Sequence, residues 1–549
     1  MFKRLLALAL AMVMCFGVLV GCGNNGGAET TTSKQGAPDQ GGEELKPGDL
    51  LFEEPFYIEC VTYSVTDATR SNSEAVKAIR TATNVYLSYR ELDDFDSQYT
   101  GMLLNQDVPD LSFFWSNEIV PKYGPKGQFI DLYQHLEKMP KVKEFMEKYP
   151  EAFNEYLITD EFGETHMYAL PAVSNGSISP YQYIYRKDIF EKHNLTWPTS
   201  QTEFVEVLRE LKNLYPQSYP FCMRNLDAGG LMYWARHWGT QMTQPTSTFT
   251  YVSINRETGE WYHADSSAAM RECVTFVNQL INEGLMLRTS LTLDTDGWET
   301  AFASEKSFIT YDKLDRLEIM NGVVKEVDPT WELTGGQAFA CGTNGTALIG
   351  GSVGAVGRTD YNFAVGREAD VDKMCKFLNW LYSDIGVEVT NWGLRGEHYT
   401  VNADGKKEFT PKMHELAEEK NTGIKFATCF GYRGLTAVTD YDSWMATCDA
   451  NTKASYERAE AQYGLKAQRI ISDYNQAEKL IIDQYGLALK SHSDATLAKF
   501  MSGELPLTDA EWNKFVSECQ QRGVNQLIAA HKTAYDRQWG AVDAAAAAK

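Results

Sequence analysis

The chain has 549 residues, with 74 acidic and 51 basic side chains, and its formal net charge at pH 7 is −23. This acidic balance argues against nucleic acid as a partner, because phosphate recognition needs a surface of clustered Lys and Arg. About 495 residues follow the N-terminal segments described next, which is enough for two or more domains with substantial cores.

Residues 1–21 have the pattern of a cleaved secretory signal. Two basic residues at positions 3 and 4 precede an apolar run at 5–20, which is shorter than the roughly 20 apolar residues of a transmembrane helix. The sequence LVGC at 19–22 resembles a bacterial lipobox, which implies cleavage before Cys22 and lipidation of its thiol. The alternative is an ordinary secretory signal with a chance cysteine.

Residues 22–54 predict a flexible linker. They are rich in Gly, Thr, Gln, Glu and Pro and nearly free of aliphatic side chains, so they lack the apolar surface that a folded core needs. Without Lys3 and Arg4, the processed chain has 49 basic and 74 acidic residues, a formal charge of −25.

Strand-like and helix-like stretches alternate through the remaining chain, which predicts an α/β architecture. Strands are expected at 56–61, 85–89 and 109–115, and helices at 72–83, 95–104, 270–281 and 374–381. Ser200 and Glu203 have the spacing of a capping box before an amphipathic helix, and Thr508 begins a similar one. Residues 455–489 predict one or two amphipathic surface helices.

Eight cysteines remain outside the signal and the lipidated position, and no two of them form a CxxC pair. This spacing supports neither a zinc site nor a dithiol redox motif. An even number permits disulfides in an oxidising compartment. Cys273 and Cys375 lie on the apolar sides of predicted helices, which favours buried thiols.

Motifs for catalysis and metal binding are weak. GGSVG at 350–354 matches a nucleophile elbow at Ser352, but no helical pattern follows that serine. Asp93, Asp94 and Asp96 form the nearest carboxylate cluster for glycoside hydrolysis, yet they open a helical pattern, where acidic residues act as caps. DTDG at 294–297 lacks the rest of a calcium loop, and HExxH is absent. We therefore predict no catalytic residue, metal or cofactor, with a single loop-bound Ca²⁺ left open.

Aromatic side chains in polar, loop-like settings are abundant. A sugar has a C–H face and a rim of hydroxyls, so its site combines flat rings with planar hydrogen-bonding groups. The patches with this composition lie at 115–118, 233–238, 296–299, 311–312 and 392–395. A lone tryptophan more often packs in a core, so patches at strand ends and turns are the stronger candidates.

Several stretches together resemble the family 1 extracellular solute-binding proteins of ABC transporters, in particular the large lipoproteins associated with complex saccharides in Gram-positive bacteria. The resemblance runs from about residue 56 to 537. The stretches that carry it are PDL at 109–111 with FIDL at 129–132, YALP at 168–171 with YRKD at 185–188, FLNWLYS at 377–383 with NWG at 391–393 and GEHYT at 396–400, and MSGE at 501–504 with YDR at 535–537.

This resemblance implies an α/β, two-lobed, periplasmic-binding-protein-like fold of type II, with hinge crossings that join the lobes. The implied segments are 55–170 and 346–400 for the first lobe, 171–345 and 401–540 for the second lobe with the C-terminal helices, and 541–549 for a disordered tail. Residues 170–172 would form the first crossing. The charged stretch at 453–490 is a departure from the family pattern, because it is unusually helical for a saccharide cleft.

The implied function is non-enzymatic. The chain would capture an oligosaccharide or modified sugar at the extracellular face of the membrane, held there by lipidated Cys22, and deliver it to the ABC transporter permease subunits. A peptide or another polar solute as ligand, a cell-surface carbohydrate-active enzyme, and an interaction lipoprotein are the alternatives.

The ligand-binding residues implied by the resemblance come from both lobes. A turn at 391–396 contributes a second set, for which a structural role, with Arg395 paired to a carboxylate, is the alternative. The full set is Trp115 and Asn117 in the first lobe, Tyr183, Trp234, Trp298, Tyr311 and Asp312 in the second lobe, and Trp392 and Arg395 in the turn.

Overall fold

The computed structural model describes residues 49–62, 73–90, 92, 94–114, 119–176, 180–224, 226, 231–240, 251–255, 258–325, 328–349, 362–419, 436–446, 448–464 and 469–547. All of them belong to one compact unit, Leu45–Lys549. Cys22 and the predictions for Trp115, Asn117 and Ser352 lie outside the described residues.

The strands and helices alternate along much of the chain, as the sequence predicts. Within the described residues the strands are β1 (Phe56–Thr62), β2 (Val85–Tyr89), β3 (Leu111–Phe114), β4 (Leu157–Thr159), β5 (Thr165–Met167), β6 (Leu170–Pro171), β7 (Val173–Ser174), β8 (Tyr181–Arg186), β9 (Val252–Ile254), β10 (Trp261–His263), β11 (Ile309–Lys313), β12 (Leu333–Gly336), β13 (Asn362–Val365), β14 (Tyr399–Val401), β15 (Lys407–Phe409) and β16 (Val438–Thr439).

The described α-helices are α1 (Glu74–Thr83), α2 (Phe95–Asn105), α3 (Ile119–Tyr123), α4 (Pro140–Lys148), α5 (Pro150–Asn154), α6 (Lys187–Lys192), α7 (Gln201–Leu214), α8 (Leu231–Trp234), α9 (Ala268–Asn282), α10 (Thr295–Ala303), α11 (Asp315–Lys325), α12 (Val371–Leu381), α13 (Asp384–Trp392), α14 (Pro411–Glu419), α15 (Tyr441–Ala446), α16 (Ala450–Glu460), α17 (Gln476–Ser502), α18 (Asp509–Gln521) and α19 (Val524–Ala547). Short 3₁₀ helices lie at Gly124–Lys126, Leu132–Lys138, Ala235–Trp238, Ala264–Ser266 and Arg288–Leu291. Among these residues we find no helix with the length and apolarity that a bilayer crossing requires.

The first lobe is built on a sheet of order β2-β1-β3-β13-β6. Strand β1 runs parallel to β2 and β3, and β13 runs antiparallel to β3 and β6. All four residues of β3 are buried, as expected for a strand that is covered on both faces. The phenol of Tyr99 in α2 donates to Ser112 Oγ on β3 at 2.7 Å, so the one polar side chain of that strand is satisfied.

The second lobe is built on the three-stranded sheet β11-β8-β12, in which both neighbours run antiparallel to the central β8. Its core includes the buried faces of α7, α9 and α10. The predicted cap of α7 is present: Ser200 Oγ accepts from the Glu203 backbone N–H at 3.2 Å. The Glu203 carboxylate, however, accepts from Thr199 rather than from Ser200, one residue earlier than in a regular capping box.

The described residues change from one core to the other at several points along the sequence. The change occurs after β7 and after β16, and Ile349 belongs to the second core whereas Phe363 of β13 belongs to the first. Strands β7 and β16 pair in parallel, with Val438 opposite Val173. Two of the passages therefore run side by side and support each other through backbone hydrogen bonds.

Some boundaries differ from those inferred from the sequence. Phe409, Met413 and Val438 belong to the first core, so the described residues 401–419 and 436–438 pack with the first lobe and not with the second. Leu51 and Phe52 are also buried in the first core, inside the stretch assigned to the linker. The C-terminal helix extends to Ala547, beyond the predicted start of disorder, because its alanines are strong helix formers and Trp539 anchors it.

Candidate functional site

A pair of stacked tyrosines marks the end of the second sheet that lies next to the chain crossings. Tyr181, the first residue of β8, stacks on Tyr233 of α8 with ring centroids 3.9 Å apart and planes 10° from parallel. Tyr181 is half-buried and Tyr233 is 6% exposed. The guanidinium of Arg236 lies 4.8 Å from the Tyr233 ring centroid. Tyr233 is therefore held by the Tyr181 ring and by a cation over its face, which fixes the orientation of the half-exposed Tyr181 ring.

Tyr311 of β11 extends this aromatic surface and is held by a buried histidine. His237 lies beside it, with Nδ1 3.0 Å from the Thr346 carbonyl and Nε2 3.1 Å from the Tyr311 hydroxyl. A carbonyl only accepts, so Nδ1 carries the proton and Nε2 accepts from Tyr311. Burial lowers the pKa of His237 to about 4, which keeps the ring neutral near pH 7. The histidine therefore positions the Tyr311 hydroxyl.

An ion pair lies at the same end of β11. Arg224 Nε and Nη2 donate to the two carboxylate oxygens of Asp312 at 2.6 and 3.0 Å, and Nη1 donates to Thr295 Oγ1 at 3.0 Å. The Lys313 backbone N–H also donates to Asp312, at 2.7 Å. A planar, bidentate pair of this kind fixes the orientation of both groups in a largely buried setting.

Asp440 joins two of the chain passages to the first lobe. Its carboxylate accepts from Trp392 Nε1 at 2.6 Å and from Asn175 Nδ2 at 3.2 Å, and its backbone N–H donates to Asn391 Oδ1 at 2.9 Å. Asn175 follows β7, whereas Asn391 and Trp392 end α13 of the first lobe. We call Asn175, Asn391, Trp392 and Asp440 the hinge cluster.

Solved structures share this architecture over nearly the whole chain. No protein-family model matches the sequence, and no curated protein matches it. A crystal structure of alginate-binding protein AlgQ2 without calcium ion is 19% identical, covers 89% of this chain and 99% of that chain, and has a TM-score of 0.68. The chain has the two-lobed fold of ABC-transporter solute-binding proteins.

Two further structures with this fold are described by the carbohydrates they bind. A human milk oligosaccharide (HMO) binding ABC-transporter solute-binding protein from Bifidobacterium longum infantis is 19% identical, covers 88% of this chain and 99% of that chain, and has a TM-score of 0.65. S. pneumoniae FusA in complex with kestose is 15% identical with the same coverages and a TM-score of 0.65. The predicted α/β, two-lobed fold is therefore confirmed.

The structure brings most of the predicted second-lobe residues together, but it places three of them inside the core. Tyr183, Trp234 and Trp298 are fully buried. Trp234 Nε1 donates to the Tyr183 hydroxyl at 2.8 Å, and Trp298 Nε1 donates to Thr310 Oγ1 at 3.1 Å. Their rings support the sheet beneath the tyrosine stack and offer no surface to a ligand in this conformation.

Sequence reasoning missed Tyr181 and Arg224. A signal for Tyr181 exists, since tyrosines alternate at 181, 183 and 185 along one strand and therefore share a face. Arg224 had no local signal, because its partner Asp312 is 88 positions away in the sequence. Tyr311 and Asp312, both 4% exposed, are the predicted residues closest to the stack and its ion pair.

Trp392 and Arg395 separate into different settings. Trp392 is 3% exposed, packs on Phe409 with centroids 4.6 Å apart, and belongs to the hinge cluster. Arg395 is exposed. Burial raises the pKa of Glu388, but hydrogen bonds from Lys407 and Tyr399 and the nearby charge of Arg395 lower it overall. These contacts support the structural alternative for this turn.

One group of possible metal ligands occurs among the described residues, and a lysine lies within it. Ligand atoms of Glu74, Glu397 and His398 lie within 4.8 Å of one another. Lys412 Nζ lies 3.1 Å from Glu74 and 3.0 Å from Glu397. Burial raises the pKa of Glu74, but its hydrogen bonds, including that from Lys412, bring the pKa down to about 2. The ammonium group supplies the positive charge that these carboxylates require.

One aspartate from each acidic motif considered for catalysis or calcium caps a helix. Asp94 Oδ1 accepts from the Ser97 backbone N–H at the start of α2, at 3.3 Å. Asp294 Oδ1 accepts from the Gly297 backbone N–H at the start of α10, at 2.8 Å. The seven described cysteines are buried and lie outside any disulfide, in agreement with the prediction of buried thiols for Cys273 and Cys375. Cys429 lies outside the described residues.

Proposed function

We propose that this chain is an extracytoplasmic solute-binding lipoprotein of an ABC importer, which binds an oligosaccharide or modified sugar between its lobes and passes it to the permease. The shared fold supports a role in binding. The names of the compared structures mention alginate, milk oligosaccharides and kestose, which favours a carbohydrate over other solutes.

The observation that carries the proposal is the Tyr181–Tyr233 stack at the crossing end of the second sheet. Aromatic faces bind the C–H face of a pyranose, while hydroxyls on its rim need charged or amide partners. Arg236, which lies over the Tyr233 ring, and the Arg224–Asp312 pair supply such groups beside the stack. In this proposal the half-exposed ring of Tyr181 is the second-lobe contact surface for the sugar. Tyr233, Tyr311 and Asp312, which are 4–6% exposed, hold that ring and the polar groups beside it in place.

The first-lobe wall would come from the loops at the carboxyl ends of β1, β2 and β3. In open α/β sheets, ligands bind outside the carboxyl ends of parallel strands. Trp115 and Asn117 directly follow β3, which ends at Phe114. They remain our proposed ligand contacts in this lobe.

Lipidation at Cys22 would complete the mechanism. The linker would hold the two-lobed body near the membrane, which raises its effective concentration at the permease and prevents loss by diffusion. Closure of the lobes about the hinge cluster would then retain the sugar until transfer.

A thermal-shift screen tests the proposal. We would compare fructo-, malto-, milk and alginate oligosaccharides with a pool of short peptides. A ligand that binds only the folded state adds RT ln(1 + [L]/Kd), about 2.7 kcal/mol at a hundredfold excess over Kd. We expect a shift with at least one carbohydrate and a clearly smaller shift at the same ligand concentration in Tyr233→Ala. The matched control is Tyr57→Ala, which removes an exposed tyrosine of the first lobe whose ring packs against Tyr86 at a tilt of 31°.

The alternatives give distinct results in the same experiment. A shift with peptides and none with carbohydrates would replace the sugar proposal with a peptide-binding one. Release of reducing sugar during hours of incubation with an oligosaccharide would instead identify a carbohydrate-active enzyme.

A further inference from the structure

The C-terminal helix α19 contacts both lobes. Its first residues, Val524 and Leu527, are buried in the second core. Its second half carries Trp539, which packs in a separate small cluster with Ile254 of β9 and Ile471. On its other side α19 meets α5 of the first lobe, whose Phe153 is buried in the first core.

An arginine lies at the centre of this contact. Arg469 Nη2 donates to Glu151 Oε1 of α5 at 2.6 Å, and Nη1 donates to Asp543 Oδ1 of α19 at 2.5 Å. Its guanidinium also lies 4.7 Å from the ring centroid of Trp539. Arg469 is 3% exposed. A buried cation is tolerated where carboxylates compensate it, and here they come from two different lobes.

A second set of bonds joins the same elements beside Arg469. Asn154 Nδ2 donates to the Gln538 carbonyl at 2.7 Å, and Gln538 Nε2 donates back to the Asn154 carbonyl at 2.9 Å. Ser472 Oγ donates to the Glu155 carbonyl at 2.5 Å, and Gln538 Oε1 accepts from the Ser472 backbone N–H at 3.0 Å. We call Glu151, Asn154, Glu155, Arg469, Ser472, Gln538 and Asp543 the Arg469 latch.

We propose that the Arg469 latch is a noncovalent connection between the lobes that, in addition to the chain crossings, stabilises the relative orientation seen in this structure. A rotation of one lobe against the other must break several of these bonds together and leave the Arg469 charge without one of its carboxylates. Residues 469–473 lie in the charged segment that departs from a saccharide cleft in the sequence, so the latch also gives that segment a role. The proposal concerns the lobes themselves and stands whichever ligand the chain binds.

The interlobe distance distribution tests it without any ligand. Spin labels are placed at Glu147→Cys on α4 of the first lobe and Glu210→Cys on α7 of the second, both exposed positions, while the described native thiols are buried. Double electron–electron resonance is then measured for the otherwise unchanged chain, for Arg469→Met and for Glu151→Gln. The matched control is Lys532→Ala, which removes an exposed i,i+4 ion pair with Asp536 on the same helix.

We expect both latch variants to move the mean distance by several ångströms or to double the width of the distribution, and Lys532→Ala to leave it unchanged. Glu151 is more than a third exposed and lies outside the cores, so Glu151→Gln keeps the test valid if Arg469→Met does not fold. Distributions that coincide with that of the unchanged chain would overturn the proposal and leave these contacts a packing role only. A thermal-shift screen in which no carbohydrate binds would contradict the proposed function and would leave the latch proposal unaffected.

Discussion

The rings of Tyr181 and Tyr233 lie face to face, 3.9 Å apart, although 52 positions separate them in the sequence. One ring begins the central strand of the second sheet and the other belongs to a short helix beside it. The pairing creates a flat surface at the end of the sheet where the chain passes between the lobes, and we place the sugar there.

The side chain of Tyr233 should matter to binding through its ring rather than its hydroxyl. Tyr233→Ala should weaken the affinity for the bound carbohydrate about tenfold, because stacking on an aromatic ring contributes about 0.5–1.5 kcal/mol beyond area burial. Tyr233→Phe should stay within about twofold, since the stack survives. Isothermal titration calorimetry measures both. Equal losses in the two variants would contradict a stacking role.

Removal of either partner of the Arg224–Asp312 ion pair should lower the free energy of unfolding. Arg224→Met leaves a buried carboxylate with only neutral donors, so we expect a loss of about 3–5 kcal/mol in the free energy of unfolding. Urea denaturation measures the loss. Lys373→Met, which removes an exposed pair with Asp370, serves as the control and should change stability by no more than about 1 kcal/mol. A small effect of Arg224→Met would show that water reaches this pair.

Gly176 should tolerate no side chain at the first passage between the lobes. A Cβ built there would lie 2.5 Å from Cγ of the Tyr441 ring, which is closer than nonbonded carbons approach. Gly176→Ala should therefore destabilise the protein by about 1–3 kcal/mol in urea denaturation. Addition of Tyr441→Ala should recover part of this loss. A double variant that is less stable by the full sum of the two single effects would contradict the steric explanation.

The stability of the second lobe should depend on pH through Asp265. Burial, opposed by the hydrogen bond from Ser493 and the charge of Lys490 and assisted by the charge of Asp494, raises the pKa of Asp265 to about 7. Because the unfolded carboxyl titrates near 4, the stabilising contribution is complete below about pH 4 and is lost as the pH rises through about 7. Asp265→Asn should then raise the melting temperature relative to the unchanged chain more at pH 8 than at pH 5.

The melting temperature of Asp265→Asn must be compared with that of the unchanged chain at each pH, because the titration of other groups changes stability with pH in the opposite direction. Burial lowers the pKa of His237 and His531 to about 4 each. Their contribution is complete above about pH 6.5 and is lost as the pH falls through 4, equally in both proteins. Cys519, whose pKa is raised first by burial and then by Asp265, is the thiol facing this site. An effect of Asp265→Asn that is the same at pH 5 and pH 8 would contradict the prediction.

The sequence predicted the elements whose signals are local. The strand pattern at 56–61, the helix caps at Ser200 and Thr508 and the apolar stripe through 270–281 each depend on neighbours within about one turn or one strand, and the structure has β1, α7, α18 and α9 there. The alternation of these elements indicated an α/β chain. The resemblance then led to two lobes, which the fold comparisons bear out.

Only the tertiary structure decided which aromatic side chains lie on the surface of the candidate site and which lie below it. Trp298 and Tyr181 are both aromatic residues with polar neighbours in the sequence, yet one is fully buried and the other is half-exposed, because burial depends on helices and strands that are distant in the sequence. Arg224 and Arg469 likewise acquire their carboxylates from 88 and 318 positions away. Sequence periodicity predicts which face of a helix or strand is apolar, whereas long-range packing determines which residues cover that face.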